Sequence, residues 1–175
     1  MAGSYGKLGR IGSLILVFLV LGCLSSQPQV LHGKVVRVVD GDTLYVKLDS
    51  GEVVKVRLVG IDAPELEPEL MRPGEYRGVH NITCLVKYAH IAKEFLANVT
   101  LGREVTLEFD SKQGRKDKYG RLLAYIYVNG TDVNELILEK GLARVFYEKR
   151  FDKMGEYLRI EEEARKKKLG LWSCN

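Results

Sequence analysis

VRLVGIDAPE, residues 56–65, begins as a β-strand and stops on two carboxylates. Asp, Pro and Glu all disfavour a sheet, so propensity alone does not end a strand this way. Such a strand delivers Arg57, Asp62 and Glu65 to one edge of a fold. Upstream, residues 31–39 are rich in β-formers, DGDT at 40–43 turns the chain, and Leu44, Val46 and Leu48 alternate with Thr43, Tyr45 and Lys47. LDSGE at 48–52 makes a second turn, and residues 52–61 read as a third strand. The result is a three-stranded meander with short turns.

Downstream, residues 66–83 hold Pro68, Pro73, Gly74 and Gly78 and show no period. A loop of that length is usually functional or mobile. Apolar residues at 85, 88, 89, 92, 95 and 96 then mark one face of a helix, with His90 pointing away toward solvent. Strands resume at 104–110 and 122–128, on either side of the polar SKQGRKDKYGR. Asn129-Gly130 is a turn signal. Residues 133–140 form a short helix stopped by Gly141. A last helix covers 153–168, is closed by Gly170, and is followed by Leu171 and Trp172 as an apolar anchor. Five strands with about three helices predict an α+β fold, a five-stranded Greek-key barrel of the OB type.

The 175 residues allow one main domain, at 30–175. Residues 1–29 differ: Lys7 and Arg10 precede an apolar run at 11–21, and LGCLSSQPQ follows. A charged start, a short apolar run and a small-residue exit match an export signal. The run is too short for an ordinary membrane span. Cys23, after Val20, Leu21 and Gly22, resembles a lipoprotein box, and residues 25–29 suit a tether. Lipid anchoring through Cys23, plain cleavage and an uncleaved anchor are the three readings. All predict an extracellular or cell-surface domain. Sequons at Asn81, Asn98 and Asn129 agree with export. With Cys23 set aside, Cys84 and Cys174 form an even pair, which in an exported chain suggests a disulfide, with two independent thiols as the alternative.

Net charge says little, because residues outside 1–29 hold 25 Lys and Arg against 23 Asp and Glu. A bound polyanion would need basic residues gathered locally. The chemistry-bearing candidates are Asp40 and Asp42, then Arg57, Asp62 and Glu65, then Arg121. Carboxylates from adjacent turns suit a hard divalent cation. Arginines hold phosphate bidentately, and a further carboxylate can orient or deprotonate water. Each has an ordinary explanation alone: Asp-Gly makes turns, Asp62 can end a strand, and Arg57 shares a strand face with Lys55. An EF-hand is excluded, since the sixth position from Asp40 is Tyr45 and the twelfth is Gly51.

VVDGDTLYVKL, VRLVGIDAPE, DKYGRLLAYIYVNG, VNELILEKGLARV and KKKLGLW occur in that order. Together they resemble the thermonuclease, or staphylococcal-nuclease-like, family over residues 31–172. The resemblance implies an OB-barrel endonuclease that uses calcium to hydrolyse DNA and RNA, leaving 3′-phosphate ends. It implies Asp42 and Asp62 as calcium carboxylates, with the backbone carbonyl of Ala63 beside them, so that the side chain at 63 should matter little. Asp40 matches an acidic position behind these ligands. Arg57 and Arg121 match phosphate-binding arginines, and Glu65 the glutamate that works on water. Lys118, Tyr119 and Tyr147 match positions at the bound nucleotide. The chain departs from the pattern at Lys149, where the family has a second tyrosine, and in its longer 66–83 loop. Lys112, Arg115, Lys116 and Lys118 supply the local positive charge. A monomer is expected. The rival expectation is a non-catalytic OB-fold nucleic-acid-binding protein of the cell envelope, which should lack one of the site residues kept here.

Overall fold

The computed structural model describes residues 1–3, 30–72 and 74–174. The export segment and Cys23 lie outside the described residues. Five strands carry the fold: β1 (Val30–Val38), β2 (Thr43–Leu48) and β3 (Val53–Leu58) form the expected meander. One short strand segment and the first helix come next in the chain: β4 (Ile61–Asp62) and α1 (Ile82–Thr100) precede β5 (Glu104–Glu108) and β6 (Leu122–Val128). β5 pairs antiparallel with both β1 and β6. β6 then runs parallel to β3, with Arg57 opposite Leu123, and this pairing closes the barrel. Closure removes the unpaired edges that an open sheet would leave.

The period-2 pattern explains what fills the barrel. Leu44, Val46, Val56, Leu58, Leu107 and Ile126 point inward, each at most 1% exposed. Burying a side chain of this size contributes about 1.5–3 kcal/mol. The alternate residues Thr43, Tyr45, Lys47, Lys55 and Arg57 therefore face outward. Beyond β6, β7 (Thr131–Asp132) leads into α2 (Val133–Glu139), whose first turn is capped by Asp132 accepting from the amides of Asn134 and Glu135. Asn134 is fully buried. It donates to the Val59 carbonyl at 2.9 Å and accepts from the Ile126 amide at 3.2 Å. That side chain pins the end of β3 to β6 beneath the rim.

The third strand is shorter than the expected 52–61. It ends at Leu58, because Gly60 adopts φ +77 and turns the chain out of the barrel. A Cβ at Gly60 would meet the Phe151 ring at 2.6 Å, so both conformation and space require glycine. Ile61 and Asp62 then pair with a segment the periodicity did not reveal, β8 (Arg144–Val145). Among its described residues, the 66–83 segment holds a 3-10 turn at Pro68–Leu70, and it is anchored at three buried side chains while most of it is exposed. Met71, Tyr76 and Val79 are buried with Leu171, Trp172 and Cys174 against α1 and α3 (Met154–Lys166). Cys84 and Cys174 are joined in a disulfide, their Cα atoms 5.7 Å apart. Among the described residues no helix is long and apolar enough to cross a membrane.

Candidate active site

A cleft of about 750 Å³ opens at the barrel rim. The turn after β1, the β3–β4 corner and the loop before β6 meet there. Its lining includes Asp40, Asp42, Arg57, Asp62, Glu65 and Arg121. Ala63, Lys118 and Tyr119 also border it. Tyr147 does not; it lies half-exposed between Arg77 and Arg144, whose guanidinium carbons are 5.2 and 5.3 Å from its ring centre. Lys149, the departure from the family pattern, does line the cleft.

The acidic pair is built by short-range geometry. Asp40 accepts from the Asp42 amide at 3.1 Å and so shapes the turn. Asp42 is 3% exposed; one of its oxygens accepts from Thr43 Oγ1 at 3.0 Å, the other from the Ala63 amide at 2.7 Å. That last bond crosses from the β1–β2 turn to the β3–β4 corner. It brings Asp42 and Asp62 together although twenty residues separate them in sequence. Arg57 bonds to both carboxylates: Nη1 pairs with Asp42 Oδ1, and Nη2 lies 2.5 Å from Asp62 Oδ1. A cationic group therefore fills the point where the two carboxylates converge. Buried carboxylate oxygens aimed at one point are the donors a hard divalent cation takes, so the residues fit such an ion. Among the described residues no larger cluster of His, Cys, Asp and Glu is arranged for a metal.

Ala63 is more constrained than a carbonyl-only role implies. Its amide holds Asp42, it is 5% exposed, and a Cβ added at Gly41 would lie 2.6 Å from its methyl group. A larger side chain at 63 has little room beside the Asp40–Asp42 turn.

Glu65 makes no side-chain hydrogen bond among the described residues. Burial raises its carboxyl above the usual glutamate range, the negative charge of Asp40 raises it further, and Arg57 opposes the shift. Burial also raises Asp40, again against Arg57. Arg121 is set by a residue that sequence reading did not single out. Asp117 accepts from the amides of Tyr119 and Arg121 through one oxygen, and from Arg121 Nε at 2.7 Å through the other. Burial pushes the Asp117 carboxyl up, but the Arg121 bonds outweigh it and hold it below the usual range. The pairing leaves the Arg121 Nη atoms uncommitted among the described residues.

Arg144 is a second residue that sequence reading passed over. It is 3% exposed and grips Asp62 Oδ2 through Nε at 3.1 Å and Nη2 at 2.8 Å. Glu148 accepts from it at 2.8 Å, and Glu75 of the long loop lies 3.5 Å away. Asp62 is thus held between two arginines, with one oxygen committed to the core. Nothing in LARV marks Arg144 as buried, because both residues of the two-residue strand are buried and no alternation sets it apart.

These elements define an OB-type barrel with an arginine- and carboxylate-lined cleft at its rim. A family profile described as Staphylococcal nuclease homologue matches residues 55–174, and the chain belongs to that family. The match includes Arg57, Asp62, Glu65 and Arg121, whereas Asp42 lies upstream of it. The chain is 39% identical over 151 residues to an uncharacterized protein of Methanocaldococcus jannaschii, covering 81% of this chain and 72% of that one. It is also 39% identical over 141 residues to the SPbeta prophage-derived endonuclease YokF of Bacillus subtilis, covering 79% of this chain but only 43% of YokF. With a protein named thermonuclease from Staphylococcus hyicus it shares 33% identity over 141 residues, 80% of this chain and 75% of that one.

Proposed function

We propose that the protein is an endonuclease that hydrolyses phosphodiester bonds of DNA and RNA with calcium, releasing 3′-phosphate ends. The observation that carries this reading is the meeting of two arginines, two buried carboxylates and an uncommitted glutamate in one rim cleft. Arg57 and Arg121 bind the non-bridging oxygens of the scissile phosphate and stabilise the charge that grows there. Glu65 orients a water and takes its proton as the water oxygen bonds to phosphorus. The bond from phosphorus to the 5′-oxygen breaks, its electron pair stays on that oxygen, and a proton from solvent completes the hydroxyl. Asp42 and Asp62, with the Ala63 carbonyl, would hold calcium, which supplies Lewis-acid polarisation and a template for the phosphate. Asp117 keeps Arg121 in place, and Arg144 keeps Asp62 from rotating.

The shared identity with proteins named endonuclease and thermonuclease supports the reaction class. Cleavage of plasmid DNA and of RNA should require added calcium and stop with chelator. End-labelling should find phosphate on the 3′ side of each cut. Binding without cleavage under those conditions would return the non-catalytic reading. We also propose that residues 1–29 export the chain and anchor it at the cell surface through Cys23. The Cys84–Cys174 bond supports an oxidising compartment. Full-length protein recovered from the cytosol would overturn this.

A further inference from the structure

The outer face of β1–β3 leads away from the cleft, with Arg37 exposed and Tyr45 and Lys55 partly exposed. Cross-strand register places Arg37 opposite Tyr45, and Tyr45 opposite Lys55, in one line across three strands. The next outward-facing position on β3 is Arg57, opposite Thr43 at the cleft. Two residues along a strand cover roughly 7 Å, a step that one extended nucleotide can span. The row begins at an irregularity: the β1–β2 register shifts between Val35 and Arg37. This leaves Val36 exposed and brings Arg37 onto the line of Tyr45. Bulges of this kind re-aim side chains beside functional sites.

The side chains suit a particular ligand. The Arg37 guanidinium carbon sits 4.2 Å from the centre of the Tyr45 ring, and Lys55 Nζ sits 5.9 Å from it. Neither Arg37 nor Lys55 forms an ion pair among the described residues, although the Asp40 carboxyl feels the Lys55 charge. Because Arg37 lies over the Tyr45 ring, a base that stacks on that face exchanges with the guanidinium, and the displaced Arg37, with Lys55, is then available to the neighbouring phosphates. That is how sequence-tolerant single-strand sites are built. A duplex would not lay a base on Tyr45 without unpairing it.

We infer that Arg37, Tyr45 and Lys55 form a track for single-stranded nucleic acid that receives the strand as it leaves the cleft. The inference rests on the nuclease reading, since the cleft is what feeds the track. It predicts that a strand long enough to pass beyond the cleft is held more tightly than one that fills the cleft alone.

The test compares Arg37→Ala/Lys55→Ala and Tyr45→Ala with the unaltered protein on two probes, a dinucleotide of deoxythymidylate and its 20-mer. Binding of the fluorescent 20-mer is measured in chelator across a salt series, and cleavage of both probes is measured in calcium. Tyr45→Ala should weaken 20-mer binding by about 5- to 100-fold. The double variant should reduce the slope of log affinity against log salt by about 1.4, two single-strand phosphate contacts. Dinucleotide cleavage should not change, which also shows that the variants are folded. Unchanged 20-mer affinity and salt slope would overturn the track, as would equal losses on both probes. Failure of the unaltered protein to cut either probe would overturn the nuclease reading instead, and the binding series would still judge the track.

Discussion

Glu65 and Asp42 sit in the same cleft but are held differently, and that difference separates their roles. Asp42 is fixed by Thr43 and the Ala63 amide and paired with Arg57, whereas Glu65 has no hydrogen-bond partner among the described residues. Glu65→Gln should lower single-turnover cleavage by about 10²–10⁴-fold and leave calcium affinity, read by calorimetry, near that of the unaltered protein. Asp42→Asn should lose calcium affinity and regain part of its rate at high calcium. Equal loss of calcium binding in both variants would make Glu65 a ligand rather than the base. A second prediction follows from the raised Glu65 carboxyl. The base works only when ionised, so the acid limb of the rate profile should fall above the ordinary glutamate range. The sign for stability is the reverse. A carboxyl raised by folding costs stability once it is ionised, fully so above its folded value and not at all below its unfolded one. Glu65→Gln should therefore raise the melting temperature at neutral pH. The gain should shrink as pH falls toward the ordinary glutamate value, and a gain that persists there would contradict the assigned cause.

At the scale of elements, the β3–β4 corner decides whether Arg57 and Asp62 share a site. The alternation of Leu44, Val46 and Val56 made the meander and its inward face legible, and the Asp-Gly turn placed Asp40 and Asp42 at its tip. The break in the third strand was not legible. Nothing local distinguishes a glycine that ends a strand from one that a sheet tolerates; the Phe151 ring that closes on Gly60 comes from ninety-one residues later. Asp117 and Arg144 were passed over for the same reason, because charged residues read as solvated until their partners are known. The Asp40, Asp42, Arg57, Asp62, Glu65 and Arg121 set was gathered through the ordered motifs, and the structure brings it into one cleft. Gly60→Ala tests the corner. It must adopt a positive φ and displace the Phe151 ring, so destabilisation of more than about 1 kcal/mol is expected, read by urea unfolding. Cleavage at temperatures where the variant remains folded should also fall, because Asp62 moves relative to Arg57. Unchanged stability and activity would show that the corner re-forms without glycine.

At the scale of the whole molecule, the described residues form two buried clusters. One is the barrel core; the other gathers Met71, Tyr76, Val79, Leu85, Leu171 and Trp172 around the Cys84–Cys174 bond. The second cluster reaches the site through the long loop: Tyr76 donates to the Asp62 carbonyl at 3.4 Å, and Glu75 lies 3.5 Å from Arg144, which grips the Asp62 carboxylate. The disulfide spans 90 residues and ties the start of α1 to the far end of the described chain. Closing so long a loop stabilises by about 2–4 kcal/mol, largely through the unfolded state. For a chain of this size that is a loss of about 4–15 °C in melting temperature on reduction, or in Cys84→Ala/Cys174→Ala. Peptide mapping without reductant should recover the linked pair, and two free thiols in air-oxidised protein would remove the bond. The loss should not be uniform. The barrel keeps its closed hydrogen-bond network without the disulfide, while the second cluster loses the bond that pins both of its chain segments. Local opening free energies are lowest where buried contacts are few. Amide exchange in reduced protein should therefore accelerate most at residues 71–79 and around Trp172, and least in β2, β3 and β6. Calcium affinity should fall with it, because the freed loop no longer supports Arg144 and Asp62. Uniform acceleration across barrel and loop would instead make the bond a purely global stabiliser with no link to the site.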